Sequence, residues 1–224
     1  MLERCARVLV VAAVPAECEA VAAATGERAA HVEVIEGGVG PAAAAARTAS
    51  ALGAAAREGR PYELVVAAGI GGGFAAAGVQ VGDLVVADRI VAADLGAELP
   101  PGPDGPAGFA SVAELGFGLD THLPPPDLVA AAAEATGGHR GDVLTVSTTT
   151  GTRQRADHLL ARHPAAAAEA MEGFGVAEAA AHAGGVPALE IRSVSNAVGP
   201  RDRAAWRIPQ ALAALTAAFG ALVP

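Results

Sequence analysis

Short runs of β-branched and other apolar residues alternate along this chain with alanine-rich segments. The apolar runs are RVLVVAAV, HVEVIEGGV, ELVVAAGI, DLVVADRIVAAD, DVLTVST and ALEIRSV. Such runs are nearly continuous rather than strictly alternating, which is typical of strands covered on both faces. Helical patterns occur between them, in PAECEAVAAAT, PAAAAARTASALGAAAREG, DLVAAAAEAT, RQRADHLLARH and EGFGVAEAAAHAG. The sequence therefore predicts an α/β fold, a three-layer α/β/α sandwich around a central, mostly parallel (mixed) sheet.

The chain carries no sign of a division into several domains. Its 224 residues contain no Ser/Gly-rich linker and no block of charge, so we expect a single domain over residues 1–224. One segment, residues 98–118 (ELPPGPDGPAGFASVAELGFG), is rich in Pro and Gly. Its composition predicts a long loop, and loops of that length are usually functional or disordered.

Composition argues against several classes of protein. A net charge of -9 and an aromatic content of 3% disfavour nucleic-acid binding, which needs a positive face and stacking platforms. The basic and apolar start resembles a secretory signal, but the apolar run is short and Glu17 and Glu19 follow it. Cys5 and Cys18 form no disulfide framework and suit a reducing cytoplasm. We therefore expect a cytoplasmic protein without a membrane segment, and the histidine spacing predicts no metal site.

Two glycine-rich stretches follow predicted strands. Residues 38–43 fit G-x-G-x-x-A, but the acidic residue that a dinucleotide site needs at the end of the next strand is absent. A tight turn that packs a helix on the sheet and a turn that lines a ligand both remain open. Residues 69–74 (GIGGGF) contain more glycine than a simple turn needs, and glycines let a backbone approach a ligand. Neither stretch contains Lys or Arg, which favours a neutral ligand group over phosphate.

Polar residues stand at several predicted strand ends. Glu17 is either a helix-start acid or a carboxylate that orients water, and Glu172 either complements a helix N-terminus or accepts from sugar hydroxyls. The turn at residues 145–152 (TVSTTTGT) is either an ordinary strand edge or part of a pocket. Ser195 and Asn196 end the last apolar run. They either form a capping turn before Gly199 or face a ligand.

Taken in order, these strand ends resemble the nucleoside phosphorylase and nucleosidase superfamily over nearly the whole chain. Within it, MEGFGVA, ADLGAE and EIRSVSNAVGPRDRAAWRI are most similar to the futalosine hydrolase family, relatives of the methylthioadenosine/S-adenosylhomocysteine nucleosidases. The resemblance implies cleavage of futalosine into hypoxanthine and dehypoxanthinyl futalosine, in the futalosine route to menaquinone. It also implies a small-molecule purine nucleoside as partner, no cofactor, and a homo-oligomer such as a dimer or tetramer.

The resemblance also implies roles for individual positions. Glu17 would act on the attacking water, Arg192 would orient the carboxylates, and Asn196 would face the purine. The expected substrate-binding residues are Gly71, Gly72, Thr150, Gly151, Thr152, Met171, Glu172, Phe174 and Ser195. The nucleosidase relatives have Ser-Asp where this chain has Ser195-Asn196, so their acid for the leaving base does not transfer unchanged.

The asparagine itself carries information about the base. Its amide offers N–H donors suited to a 6-oxo group, which favours hypoxanthine over adenine.

Three other functions remain open at this point. A purine nucleoside phosphorylase would need arginines at the glycine turns to hold phosphate, a methylthioadenosine-type nucleosidase would take an adenine base, and a non-catalytic nucleoside-binding protein would not need Glu17.

Overall fold

A computed structural model of the chain describes residues 1–26, 29–101 and 108–223. The strands are β1 (Val8–Ala12), β2 (Val32–Glu36), β3 (Leu64–Gly73), β4 (Leu84–Ala92), β5 (Gly96–Leu99), β6 (Gly108–Ser111), β7 (Thr121–His122), β8 (His139–Thr145), β9 (Ala166–Ala170) and β10 (Ala188–Ala197). The helices are α1 (Pro15–Thr25), α2 (Pro41–Arg57), α3 (Pro126–Thr136), α4 (Arg153–Arg162), α5 (Gly173–His182) and α6 (Ile208–Leu222).

Strand β3 organises the main sheet. It pairs in parallel with β1 and β10, and its last two residues pair antiparallel with β9. Strand β10 also pairs with β4, so that β3, β9, β8, β4 and β10 close into a ring, while β1 and β2 extend the sheet from β3. Parallel pairs predominate, and the predicted α/β class with a mixed central sheet is confirmed.

The two faces of β1 explain why its sequence is continuously apolar. Val8 and Val10 belong to a core cluster shared with α1, α3 and α6. Leu9 and Val11 belong to a second cluster, shared with α2 and α5. Because successive residues of a strand point to opposite faces, a strand with helices on both sides must be apolar at every position. This arrangement is the predicted three-layer sandwich.

Several segments differ from the sequence-based expectation. Strand β9 has the sequence AAAEA, which lacks the β-branched residues that mark a strand. The sequence predicted that the GIGGGF stretch follows β3, but its first five residues are part of that strand. In the predicted loop over residues 98–118, Gly108–Ser111 pairs antiparallel with Gly96–Leu99, and residues 102–107 lie outside the described residues. Helix α6 was not predicted, although it covers β10 and packs against α1.

No helix in the described part of the chain combines the length and the apolar character that a membrane crossing requires.

Candidate active site

A cavity of about 410 Å³ opens where β1, β9 and β10 end and the second half of β3 passes between them. Eight of the predicted site residues line it, namely Glu17, Gly71, Gly72, Thr150, Met171, Glu172, Ser195 and Asn196. The positions of these residues in the chain are far apart, so the tertiary structure brings them together. The cavity is large enough for a small molecule.

Glu17 lies in the first turn of α1, directly after β1, and is almost fully buried. Its Oε2 accepts hydrogen bonds from the backbone N–H groups of Ala13 (2.9 Å) and Val14 (3.3 Å), so it does cap its own helix. Its Oε1 accepts a hydrogen bond from the backbone N–H of Ile70, which belongs to β3, at 2.8 Å. Burial raises the pKa of Glu17, although the Ile70 hydrogen bond and the charge of Arg192 partly oppose this.

Glu172 stands between β9 and α5 and faces the same cavity. Its Oε1 accepts from Gly40 N–H at 3.2 Å, in the glycine turn that begins α2. Its Oε2 accepts from Arg192 Nη1 at 3.1 Å and from Met171 N–H at 3.3 Å. The turn before α2 therefore starts a helix, as one of the two alternatives predicted, and its Gly40 N–H also holds a carboxylate at the cavity. Whether the turn contacts a ligand stays a prediction.

Arg192 lies behind the cavity wall and does not line it. Its side chain is 1% exposed, and its Nε donates to Glu190 Oε1 at 2.8 Å. Burial alone would lower the pKa of Arg192, but the three surrounding carboxylates outweigh burial and raise it. Burial raises the pKa of Glu190, which is fully enclosed and was not predicted as part of the site. The signal that could have identified Glu190 was an acid two residues before Arg192 in a strand predicted to be buried.

The charged cluster explains why position 69 of β3 is a glycine. A Cβ at this position would lie 2.6 Å from Glu17 Oε1 and 2.8 Å from Arg192 Nη1. Both distances are shorter than real contacts to a Cβ, so any larger residue would displace the carboxylate or the guanidinium. The glycine is thus a packing requirement of the buried charges.

A β-bulge lets two consecutive residues of β10 reach the cavity. The pairing with β3 shifts between Val194 and Asn196, which leaves Ser195 as the extra residue. In a regular strand neighbouring side chains point to opposite faces, whereas a bulge re-aims them. Ser195 Oγ lies within hydrogen-bond distance of Gly71 O (3.2 Å) and Asn196 Oδ1 (2.9 Å). The Asn196 amide donates one N–H to a neighbouring carbonyl at 3.0 Å and has a second available.

Glu169 is a cavity-lining carboxyl group that the sequence analysis missed. It is 5% exposed, and its Oε1 accepts from Thr150 N–H at 2.7 Å. The Thr150 hydroxyl donates to its other oxygen. Burial raises the pKa of Glu169, and the hydrogen bonds from Thr150 oppose that shift. One acid within an alanine-only strand was the signal that could have identified it.

Three predicted contact residues are not among those that line the cavity in the described part of the chain. The Thr152 hydroxyl instead accepts from a backbone N–H in the first turn of α4. The Gly151 carbonyl accepts from Arg201 N–H at 3.1 Å. Phe174 packs on the His122 ring, with centroids 5.0 Å apart. Their positions correspond to capping and packing roles, and we do not carry them into the proposed site.

One further segment lines the cavity without having been predicted to do so. The loop after β10 contributes residues 198–202, Ala205 and Trp206.

Within the described residues, no group of three or more His, Cys, Asp or Glu side chains is arranged to hold a metal ion.

The chain belongs to the Phosphorylase superfamily, whose sequence profile matches residues 8–223. Its fold places buried carboxylates along the cavity described above. A protein from Streptomyces coelicolor named futalosine hydrolase is 64% identical over 192 residues, which cover 86% of this chain and 78% of that protein. A futalosine hydrolase from Acidothermus cellulolyticus is 47% identical over 73% of this chain and 65% of its own length. This chain belongs to the same family, which confirms the resemblance found in the sequence.

The fold is also that of a solved structure. The native structure of futalosine hydrolase from Helicobacter pylori superposes with a TM-score of 0.79 over 97% of each chain, at 18% sequence identity. At that identity the similarity concerns the fold, and it supports the ring of strands and the flanking helices described above.

Proposed function

We propose that this chain hydrolyses the N-glycosidic bond of futalosine and releases hypoxanthine and dehypoxanthinyl futalosine. The observation that carries the proposal is the convergence of Glu17, Glu172 and Asn196 on one cavity, in a chain 64% identical to a futalosine hydrolase. Two carboxylates and an amide suit a reaction that builds positive charge on a sugar and negative charge on a departing purine, by analogy with glycoside hydrolysis.

In this proposal Glu17 is the general base. Water attacks the anomeric carbon of the ribose, a proton passes from that water to Glu17, and the bonding electrons of the C–N bond leave with the purine. The released base takes up a proton from solvent, and Glu17 returns the proton it accepted to solvent before the next turnover. A buried carboxyl whose pKa is raised is a stronger base than an exposed one. The three N–H donors to Glu17 hold it in one orientation, and positioned proton transfer is typically worth about 10²–10⁴-fold in rate.

The ribose is the proposed partner of Glu172. A carboxylate can accept hydrogen bonds from paired sugar hydroxyls and stabilise the cation that develops as the bond breaks. Three carboxyl groups, Glu17, Glu172 and Glu190, surround the single guanidinium of Arg192. Such a cluster has a negative balance, which favours a cationic transition state. Arg192 is a positioning residue here, since it lies behind Glu172 and does not face the cavity.

The purine is the proposed partner of Asn196 and Glu169. Both residues pair with Gly72 in the sheet, from strands on opposite sides of it, and both line the cavity. Gly72 has no side chain, and the amide of Asn196 lies over it, since a Cβ at this position would be 3.3 Å from Asn196 Nδ2. Asn196 would donate to O6, and an ionised Glu169 would accept from N1–H.

The geometry disfavours a phosphorylase. A phosphate nucleophile is an anion that needs cationic donors near the ribose. Among the described residues that line the cavity, the one cationic side chain is Arg201, in the loop after β10 rather than in either glycine turn. A non-catalytic nucleoside-binding protein would not need a carboxylate beside the ribose, although Glu17 also caps α1 and accepts a hydrogen bond from β3. Only an activity assay separates this alternative from the hydrolase.

The test is to incubate the purified protein with futalosine, inosine and methylthioadenosine, with and without phosphate, and to identify the released base by chromatography. We expect hypoxanthine from futalosine at the same rate in both buffers. A strict phosphate requirement with a sugar 1-phosphate product would instead identify a phosphorylase. Adenine released from methylthioadenosine, with no cleavage of futalosine, would indicate the other nucleosidase.

The proposal extends to cellular context and assembly. Futalosine cleavage implies a place in menaquinone biosynthesis, and we expect a cytoplasmic homo-oligomer. The expectation of an oligomer is supported by exposed apolar side chains, which mark interaction surfaces when they cluster. Among the described residues, most of the large ones lie between residues 95 and 123, namely Leu95, Leu99, Leu115, Phe117, Leu119 and Leu123. Light scattering of the purified protein would measure the assembly.

A further inference from the structure

The loop of residues 198–207 adds a cation and an aromatic ring to the cavity. Arg201 and Trp206 both line it. The Cζ atom of Arg201 lies 5.8 Å from the centroid of the Trp206 ring, within the range of a cation–π contact. Among the described residues, Arg201 has no carboxylate within ion-pair distance, so its guanidinium is available to a ligand.

Backbone hydrogen bonds hold this loop in place. They tie it to β3 at Val198 (2.8 Å), to the turn before α4 at Arg201 (3.1 Å) and to β10 at Arg207 (2.8 Å). Arg201 and Trp206 therefore lie on a segment that is fixed at both ends and at an intermediate point.

Arg201 is the cationic side chain of a cavity whose other charged residues are acids. The other ionisable groups that line it are carboxyls, namely Glu17, Glu169, Glu172 and Asp202. Asp202 is engaged locally, because its Oδ1 accepts a backbone N–H within the loop at 3.0 Å. An anionic ligand would be repelled by these acids unless a cation met it, and Arg192 cannot do so because it is buried behind them.

We propose that Arg201 and Trp206 bind an aromatic carboxylate at one end of the substrate. The inference rests on the proposed function, since futalosine carries a carboxylate on an aromatic tail, whereas inosine has the same base and a ribose without that tail. A guanidinium grips a carboxylate through two parallel hydrogen bonds, and an indole offers a flat apolar face to an aromatic ring. The loop thus selects the carboxylated nucleoside in a cavity that otherwise disfavours anions.

Trp206 also provides a direct measurement, because it is the one tryptophan in the chain. We would titrate its fluorescence with dehypoxanthinyl futalosine, which has the carboxylate but no bond to cleave. We expect saturable binding to the wild type and binding about tenfold or more weaker in Arg201→Gln, as for loss of a charged hydrogen bond. Arg203→Gln is the matched control, since Arg203 is exposed in the same loop but does not line the cavity. Its affinity should stay within about twofold of wild type.

Kinetics provide the second readout. Arg201→Gln should raise KM for futalosine with little change in kcat, and it should leave kcat/KM for inosine unchanged. The inference is overturned if the wild type gives no fluorescence response, if both variants weaken binding equally, or if inosine is affected as strongly as futalosine. If the fluorescence contrast holds while the wild type does not cleave futalosine, Arg201 still binds the carboxylate and the proposed reaction fails.

Discussion

The two walls of the cavity are built in different ways. The charged wall consists of Glu17 and Glu172 with Arg192 behind them, and its contacts join segments far apart in the chain. The hydrogen-bonding wall consists of Glu169 and Asn196, whose side chains bond to Thr150 and to the residues next to Asn196. We infer from this difference that the charged wall supports both the fold and the chemistry. In the other wall, a change at Asn196 should alter selectivity, and a change at Glu169 should cause only a small, pH-dependent change in stability.

The largest effect is expected from Arg192→Met. Removing the guanidinium leaves the fully buried Glu190 without a partner for its charge, and breaking a buried pair in this way costs about 3–5 kcal/mol. Urea unfolding monitored by circular dichroism measures the loss. Arg140→Met is the matched control, because its pair with Asp88 is half exposed and worth about 0–1 kcal/mol. Equal losses in the two variants would mean that the charged wall does not support the fold.

Glu172→Gln should reduce turnover far more than stability. Its proposed partner is the ribose, and loss of a preorganised group of this kind costs about 10²–10³-fold in kcat. Arg192 retains Glu190 in this variant, so the unfolding midpoint should move little. Turnover and the midpoint are compared with those of Glu98→Gln, at an exposed carboxylate. Turnover that survives while the midpoint collapses would make Glu172 a structural helix-start acid.

Asn196→Asp should shift preference from 6-oxo toward 6-amino purines. An ionised Asp sets acceptors against O6 and leaves it unpaired, at a cost of about 1–3 kcal/mol. A protonated Asp could donate to N7 and accept from a 6-amino group, so the change removes one match and creates another. The ratio of kcat/KM for futalosine and its aminated analogue, aminodeoxyfutalosine, measures the shift. An unchanged ratio in a folded variant would show that Asn196 does not read the base.

The smallest effect is expected from Glu169→Gln, as a change in the pH dependence of stability. Burial raises the pKa of Glu169 above its unfolded value of 4.5. Its contribution to stability is therefore complete below pH 4.5 and is lost as pH rises through the folded pKa. The variant should gain stability relative to wild type over that window, as measured by unfolding midpoints from pH 4 upward. A difference that stays constant across this pH range would contradict the raised pKa of the buried carboxyl.

Several of the predicted site residues lie together in the structure, although the sequence did not predict the contacts between them. Glu17, Glu172, Ser195 and Asn196 were chosen because they end strands, and the structure brings all of them to one cavity. Their substrate roles stay predictions. Glu169 was missed because its strand, made of alanine and one acid, has neither the period nor the β-branched residues that identify a strand.

Patterns within a few neighbouring residues were sufficient to predict the strands and helices that form the layers of this fold. Apolar runs predicted β1, β3 and β10, and a proline in the first turn of an alanine-rich segment marked the start of α1 and α2. These signals act over a few residues, so a single sequence displays them in full.

Only the tertiary structure decided which side chains the strands place at the cavity. The bulge at Ser195 depends on the register between β10 and β3, and the contact of Arg192 with Glu172 depends on how the ring of strands closes. Gly69 is required by two charged groups that arrive from other elements. Register, ring closure and close approach are set by the packing of segments distant in the chain, and no local pattern of residues encodes them.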